Sequence, residues 1–532
     1  MCRTVRRDLT HAIITRSMRC ARLVCVLSAL LGVMSSRAEA DVLGHLFAAA
    51  DDQSGGTPPP AQPADLSAWA GEARATTLPD LLQVAVRQAP SLASARIDIA
   101  VAEARIEQTW GRRDWLVGAR LTAVRTTSTN QGTTTSIGGS ADLSRLLPTG
   151  GTIALHADTG YAKTTGSFMN LFDGTSWTDN VAVSFTQPLL RGGGRELYDA
   201  NERRATLARD ASVLAVRLAA INTVQTVISA YWDLVLAERS VAITQASLDL
   251  ARERLRVTQI GADGGKIPRS EIPAVLQIIA TREEDVLNGE LGVLDRSIAL
   301  RRAAGMPIGA GELGLRVATD LDSKDEPLDL GRLVEQAYTA SPQLAQLAKQ
   351  DASAAIDVAV AENGLLPQLD AALSLGPTGT ASTFGSAAKD LVELNTISIN
   401  GSLTFSQSIG RDLVRGQIRE AHENRRKVTV NAFDVRAQIA QTMTQAVAQL
   451  ELARRRVVLS QRAIDLANEN IKIETDRFNL GKSTNFDVLN RQEDLRQAEL
   501  RKTQALIDGH KAETLVQSLT GDILPLYGIK LQ

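Results

Sequence analysis

The chain has 532 residues, of which 44% are hydrophobic and only 4% aromatic, and its 58 lysines and arginines nearly balance 60 aspartates and glutamates. Domains that bind nucleic acid usually carry clustered excess positive charge, so this balance argues against a nucleic-acid partner. The three cysteines, Cys2, Cys20 and Cys25, all lie near the N-terminus. The remainder therefore has no disulfide, cysteine nucleophile or thiolate metal site.

The N-terminus has the composition of a secretory signal. Six arginines within the first 22 residues precede an apolar run from Leu23 to Met34 and an Ala-Glu-Ala sequence at residues 38–40. A positive segment, an apolar stretch too short to cross a bilayer and an A-x-A site predict a signal peptide over residues 1–40, with an anchoring helix as the alternative. Residues 41–77 include the stretch DDQSGGTPPPAQPA, which predicts a flexible segment.

The rest of the chain is internally duplicated. An offset of 252 residues pairs Leu81 with Leu333, and further along an offset of 216 residues pairs Gly305 with Gly521. Each offset is kept over a long stretch, which indicates two copies of one unit, at residues 78–310 and 328–525. Because the offsets differ by 36 residues, the first copy carries extra material.

Each copy contains a stretch rich in Thr, Ser and Gly in which apolar residues alternate with polar ones. This pattern predicts half-buried strands in hairpins, at about residues 115–190 and 366–408. Strand signals this weak leave a disordered loop as the alternative.

Apolar residues then recur every seven positions. In the second copy these are Leu450, Val457 and Ile464, beside a stripe of small residues that includes Ala453 and Ala467. Sustained heptads with a small second position predict long helices packed closely together, as in a coiled coil. We place these helices at residues 194–260 and 411–480, each followed by a return helix, at residues 268–304 and 486–520.

The predicted helix lengths constrain the architecture. At about 1.5 Å per residue the first long helix measures about 100 Å, whereas its return helix measures only about 55 Å. Stacking the return helix end to end with the helix that follows Pro90 makes up most of the difference. The sequence thus predicts a wall of continuous and composite helices.

Taken together, these features resemble the TolC-type outer-membrane efflux proteins, the outer membrane factor family. The resemblance rests on the signal peptide, the duplication, the order of elements and the stretches FTQPLLRGGGRE (185–196) and GKSTNFDVLNRQEDLRQAEL (481–500). It implies an α+β, mainly α fold that forms, as a homotrimer, an outer-membrane β-barrel continuous with a periplasmic α-helical barrel.

The resemblance also implies a function. Such a protein is a passive exit duct of a tripartite efflux or type I secretion system, located in the cell outer membrane and extending into the periplasm. The implied partners are a periplasmic adaptor, an inner-membrane pump driven by protons or ATP, and outer-membrane lipid. No enzyme activity and no cofactor are implied.

The strand count remains open at this point. Strands that cannot close a barrel within one chain leave exposed edges in lipid, so several chains must share one closed sheet. The family pattern implies four strands per protomer and twelve per trimer. The 36 extra residues of the first copy are either an extracellular extension or a further hairpin, and we favour the extension.

The resemblance places a pore constriction at the periplasmic tip of the second copy. The family's acidic position falls on Asp487, its second acidic position on Asn490, and the bulky residue before the glycine on Phe478. Three Asp487 carboxylates around one axis favour cations, although Asn490 leaves a second carboxylate ring missing. The alternative is that Asp487 caps the N-terminus of the return helix.

The Gly-Lys turns of the two copies resemble the tip turns that contact the adaptor. These are Gly265-Lys266 and Gly481-Lys482. A purely structural alternative is that glycine permits the positive φ that the turn needs. Gly481-Lys482-Ser483 lacks the earlier glycine of an ATP-binding loop, because position 476 is Asp476.

No constellation of catalytic residues was found in the sequence. The histidines are scattered without ligand spacing, so we expect no metal site. The alternative function is an exported coiled-coil structural protein that spans the periplasm without a pore.

Overall fold

The computed structural model describes residues 76–128, 132–166, 173–309, 314–315, 317 and 327–530, so the predicted signal peptide and the flexible segment up to residue 75 lie outside the described residues. The helices are α1 (Leu78–Gln88), α2 (Pro90–Trp110), a 3-10 turn (Gly111–Arg113), α3 (Arg195–Tyr198), α4 (Ala200–Asp263), α5 (Glu271–Ala304), α6 (Leu330–Ala340), α7 (Pro342–Asn363), α8 (Phe384–Val392), α9 (Asp412–Asn479), α10 (Asn485–Thr520) and α11 (Ile523–Leu526). The strands are β1 (Leu116–Ser128), β2 (Gly132–Leu146), β3 (Thr152–Thr165), β4 (Gly174–Pro188), β5 (Gln368–Ala381) and β6 (Ile397–Ser406).

Two very long helices dominate the fold. Helix α4 has 64 residues and α9 has 68, which at about 1.5 Å per residue gives lengths of roughly 96 and 102 Å. Their return helices, α5 and α10, have only 34 and 36 residues. Each return helix ends at a glycine in the left-handed conformation, Gly305 and Gly521.

In the first repeat, shorter helices make up the length that the return helix α5 lacks beside α4. The backbone at Gly305, just after α5, approaches the end of α1 so closely that a Cβ there would lie 2.5 Å from the Gln88 carbonyl oxygen. Helix α2 continues from that point along α4, where the Ser91 and Thr223 hydroxyls are 3.0 Å apart. Helices α5 and α2 therefore lie end to end along α4.

The largest hydrophobic core surrounds the middle of α4. Ile228 and Leu234 of this helix are fully buried. They belong to one cluster with residues of α1, α2, α5, α10 and α11, namely Leu81, Leu82, Leu92, Leu300, Ile507 and Ile523. Because several helices bury residues here, this region joins the two repeats.

Helix α7 connects the two long helices. Its Lys349 reaches Asp210 of α4 with an N–O distance of 3.0 Å, and its Asp351 accepts a hydrogen bond of 2.9 Å from Arg425 of α9. These ion pairs are partly exposed, so each contributes little to stability and mainly fixes the register of the helices.

Within the described residues, the six strands form one antiparallel sheet in the order β1-β2-β3-β4-β5-β6. The first repeat supplies β1 to β4 and the second supplies β5 and β6. The favoured extracellular extension is therefore wrong, and so is the expected number of four strands. The extra residues form a further hairpin, β2–β3, paired on both sides. Its strands are rich in Thr, Ser, Gly and Ala, which gave a weak strand signal.

Candidate functional site

The two faces of the sheet are chemically different. Every cross-strand pair joins two odd-numbered or two even-numbered residues, from Val117–Leu143 in the first pair of strands to Leu375–Ile399 in the last. Because paired residues point to the same side, the odd-numbered residues of all six strands share one face.

The odd-numbered face is largely apolar and exposed, with the hydrogen-bonded pair Thr159–Asp179 as a polar exception. Its large side chains stand out from the single chain, with 85% of Leu121 and 70% of Ile399 accessible. The same face carries Val117, Ile137, Leu155, Val183, Phe185, Leu373, Leu375, Ile397, Leu403 and Phe405, all exposed. A continuous apolar surface of this extent marks a region that contacts lipid or another protein.

The even-numbered face is polar. A hydrogen-bonded chain crosses four strands there: both ring nitrogens of His156 lie against carboxylates, those of Asp142 and Asp158. Asn180 donates to Asp158 over 3.0 Å and accepts from the Thr378 hydroxyl over 3.2 Å. Serines and threonines occupy about half of the remaining even positions, and Leu116 and Val124 are exposed apolar exceptions, so most of this face suits contact with water.

Aromatic residues lie near both ends of the apolar face. Trp115 stacks under Arg145 at the end next to the helices, with the guanidinium carbon 5.6 Å from the ring centroid. At the other end Trp177 packs between Tyr161 and Phe384, with ring centroids 4.9 and 5.4 Å away. Eight residues along a strand separate these levels, or about 27 Å. A strand tilt of about 40° reduces this to a height of about 21 Å, close to the apolar band of about 25 Å between the aromatic girdles of outer-membrane barrels.

Comparison with known proteins gives the same result as this geometry. Residues 81–306 match the family described as outer membrane efflux protein. This match covers the first repeat, so the chain resembles that family over 226 of its 532 residues. Among its relatives is the outer membrane efflux protein BepC of Brucella suis biovar 1, 24% identical over 352 residues, which are 66% of this chain and 70% of BepC.

Solved structures support the fold. The outer-membrane channel CmeC of Campylobacter jejuni superposes with a TM-score of 0.61 over 88% of this chain and 94% of its own, at 13% identity. The outer membrane protein VceC of Vibrio cholerae gives 0.60 over 84% and 96%, at 14% identity. The predicted resemblance to this family and the α+β, mainly α fold class are therefore confirmed. The chain thus has the fold of these solved outer-membrane channels.

At the free end of its second repeat, the chain has a tight helical turn. Helix α9 ends at Asn479, and α10 begins at Asn485. Gly481 has φ of +69°, and the Lys482 backbone N–H donates to the Arg477 carbonyl over 2.9 Å. Gly265 adopts the same φ in the first repeat, so both Gly-Lys turns need glycine for conformational reasons. Their lysines, Lys266 and Lys482, are exposed.

Asp487 caps helix α10. Its carboxylate accepts hydrogen bonds from the Thr484 hydroxyl over 2.7 Å and from the Thr484 backbone N–H over 3.1 Å. The Asp487 N–H donates back to the Thr484 hydroxyl, which completes a capping box. The capping alternative is thus realised in this chain, and the carboxylate stays exposed at the tip.

Capping makes the stability of the tip depend on pH. The Thr484 side chain, followed by its backbone N–H, holds the pKa of Asp487 below its ordinary value of 3.8. A depressed pKa stabilises the folded tip above that ordinary value, and the stabilisation is lost as pH falls through the lower, folded pKa. We expect hydrogen-exchange protection of the first turn of α10 to fall below about pH 4. Asp487→Asn should remove this pH response; an unchanged response would contradict the capping role.

The other predicted constriction residues are in different surroundings. Asn490 is exposed on α10, one helical turn beyond Asp487. Phe478 is half-buried, and the guanidinium of Arg254 from the first repeat lies over its ring, 5.0 Å from the centroid. Burial lowers the pKa of Arg254. Within this chain Phe478 is therefore packed between the repeats, whereas Leu480 and Phe486 are the exposed apolar side chains near the turn.

Contacts between the two repeats at this end were missed by the sequence reasoning. Asn485 is buried, accepts a hydrogen bond of 3.2 Å from Thr258 of α4 and donates one of 3.3 Å to Glu271 of α5. Leu489 packs into a cluster with Leu248 and other residues of the first repeat. No motif marks Asn485, because its partners are more than two hundred residues away in the chain.

Proposed function

We propose that this protein is the outer-membrane exit duct of a tripartite efflux or type I secretion system and works as a homotrimer. The main support is the sheet, whose apolar face is exposed and whose opposite face is polar. Within the described residues the sheet ends at β1 and β6, so both edges are open. In lipid such edges must be paired, and pairing β6 of one protomer with β1 of the next closes a barrel.

The proposal gives each face a role. The apolar face contacts outer-membrane lipid, and the polar face lines the lumen through which substrates pass passively. The long helices continue the duct into the periplasm. There the turns at Gly265-Lys266 and Gly481-Lys482, both exposed, are the surfaces that we propose for docking the adaptor, which joins the duct to an inner-membrane pump.

We further propose that the tip of the second repeat is the narrowest part of the duct. Asp487 and Asn490 lie on one exposed face of α10, so three-fold symmetry places three carboxylates and three amides around the axis. A ring of like charges favours ions of opposite sign, here cations. Phe478 lies behind this ring of side chains, packed on Arg254, and its bulk would narrow the opening.

The state of the protein in the membrane tests the duct. We expect heat-resistant trimers in SDS from the outer-membrane fraction and single-channel conductance after reconstitution in planar bilayers. A monomeric protein recovered in soluble form from the periplasm would refute the duct and favour the alternative, a coiled-coil structural protein without a pore.

Two substitutions test the constriction. Asp487→Asn removes the proposed carboxylate ring and is expected to lower cation selectivity, measured from reversal potentials in a salt gradient. Asn490→Asp supplies the missing ring without touching the capping box and should raise it. If neither changes the reversal potential, this face of α10 does not line the pore, and Asp487 has only its capping role.

A further inference from the structure

The hairpin β2–β3 is an insertion within the sheet. In the second repeat β5 passes through α8 directly to β6, whereas in the first repeat two more strands lie between β1 and β4. Strand β2 pairs with β1 from Ser144 to Gly132, which is the whole length of β1, and β3 pairs with β4 from Thr152 to Thr164. The hairpin therefore lies within the span of its neighbours and does not project beyond them.

The inserted strands also keep the chemistry of both faces. Ile137 and Leu155 continue the exposed apolar face. Asp142 and His156 continue the polar face, and the hydrogen-bonded chain that starts from them runs on into β4 and β5. A hairpin projecting into water has no reason to keep an apolar side, so this alternation is typical of a strand in a membrane wall.

We propose that β2–β3 is part of the barrel wall, so that three protomers close a barrel of 18 strands instead of 12. This inference rests on the proposed trimer. With strands about 4.8 Å apart and tilted by about 40°, 18 strands give a backbone diameter of about 36 Å, whereas 12 give about 24 Å. Each protomer supplies six strands to this wall.

The wider barrel changes where the duct selects its substrates. Barrels of 16 to 18 strands leave an open aqueous channel after side chains are added. The outer-membrane segment is then much wider than the tip, so the tip, and not the barrel, limits the size of the solutes that pass. The added strands line this outlet with the polar residues Asp142, His156 and Asp158.

Spin-label distances measure the barrel diameter directly. All cysteines lie in the first 25 residues, so after their replacement by serine one new cysteine gives a unique label. We place it at Ser184 on the polar face of β4. In a three-fold ring the distance between labels is the radius multiplied by the square root of three, so the native protein should give about 31 Å and a 12-stranded barrel about 21 Å. The shorter distance in a trimer of verified mass would overturn the inference.

A matched deletion and a reference site complete this experiment. A variant lacking residues 132–165 leaves β1 and β4 free to pair, and its Ser184 label distance should fall by a factor of about 1.5. A label at Leu459 on the long helix α9 should report the same distance in both proteins.

A second measurement separates this inference from the trimer. A nitroxide at Ile137 should collide with oxygen dissolved in the bilayer, and one at Ser140 with a water-soluble nickel complex, whatever the number of protomers. If the nickel complex reaches both positions equally, the hairpin is outside the membrane and the inference fails. Particles that are not trimers, but in which Ile137 faces lipid, would refute only the proposed trimer and leave β2–β3 in the wall.

Discussion

Replacing Val183 by arginine is expected to destabilise the membrane-inserted protein by about 2–4 kcal/mol, the cost of a cationic side chain near the middle of a lipid-facing strand. Val183 lies in the central part of β4, on the apolar face, and about half of its surface is accessible in the single chain. Its neighbours across the strands are Leu155 and Leu375, both apolar and exposed. An arginine there has no anionic partner on its own face among these neighbours.

The adjacent residue provides the control. Ser184 is at the same depth but points to the polar face, where Ser374 is its partner. Ser184→Arg should therefore change stability by less than about 1 kcal/mol. Urea unfolding in lipid vesicles, followed by tryptophan fluorescence, measures both variants. Equal losses would mean that the two faces do not differ in their contact with lipid, and a larger loss for Ser184→Arg would reverse their assignment.

The helical part of the fold could be predicted because its signals are local and repeated. Heptads such as Leu450, Val457 and Ile464 fix the face of a helix within a few turns, and a glycine marks each end. The end-to-end stacking of α5 and α2 followed from length alone. These features depend on the spacing of apolar residues and on the number of residues in each helix, both of which can be read directly from the sequence.

The number of strands was predicted incorrectly, because its signal is not local. Strand β2, GTTTSIGGSADLSRL, contains little besides small and polar residues on its even-numbered side. Such residues are compatible with a water-filled lumen but have low intrinsic strand propensity. They therefore do not distinguish a strand of the barrel wall from a surface loop. The pairing of Ile137 with Ala123 and Tyr161 makes β2 a strand of the sheet, and this pairing depends on contacts outside the local sequence.

The tip was predicted in part. The turn and the possibility of capping were visible, because Asp487 lies near the predicted N-terminus of the return helix, where a carboxylate is favourable. The position of Phe478 against Arg254 was not, because it depends on how the two repeats pack. Whether Asp487 also faces the pore depends on the neighbouring protomers, and the reversal-potential experiment decides it.

Truncating Ile228 to alanine should have the largest effect among the helices. Ile228 is fully buried at the middle of α4, within the cluster that joins helices of both repeats. Removing most of a buried Ile side chain costs about 2–5 kcal/mol, the higher values applying where the surroundings cannot collapse. Because a helix about 96 Å long packed on several others cannot shift locally without disturbing its register, we expect about 4 kcal/mol.

A graded series makes this prediction specific. Ile228→Val removes one methyl group and should cost only about 0.5–1.5 kcal/mol, whereas Thr226→Ala, at an exposed position of the same helical turn, should stay within about 0.5 kcal/mol. Urea unfolding followed by helical circular dichroism gives all three values. If Ile228→Ala cost no more than Thr226→Ala, position 228 would face solvent, and the central core that holds the two repeats together would be placed incorrectly.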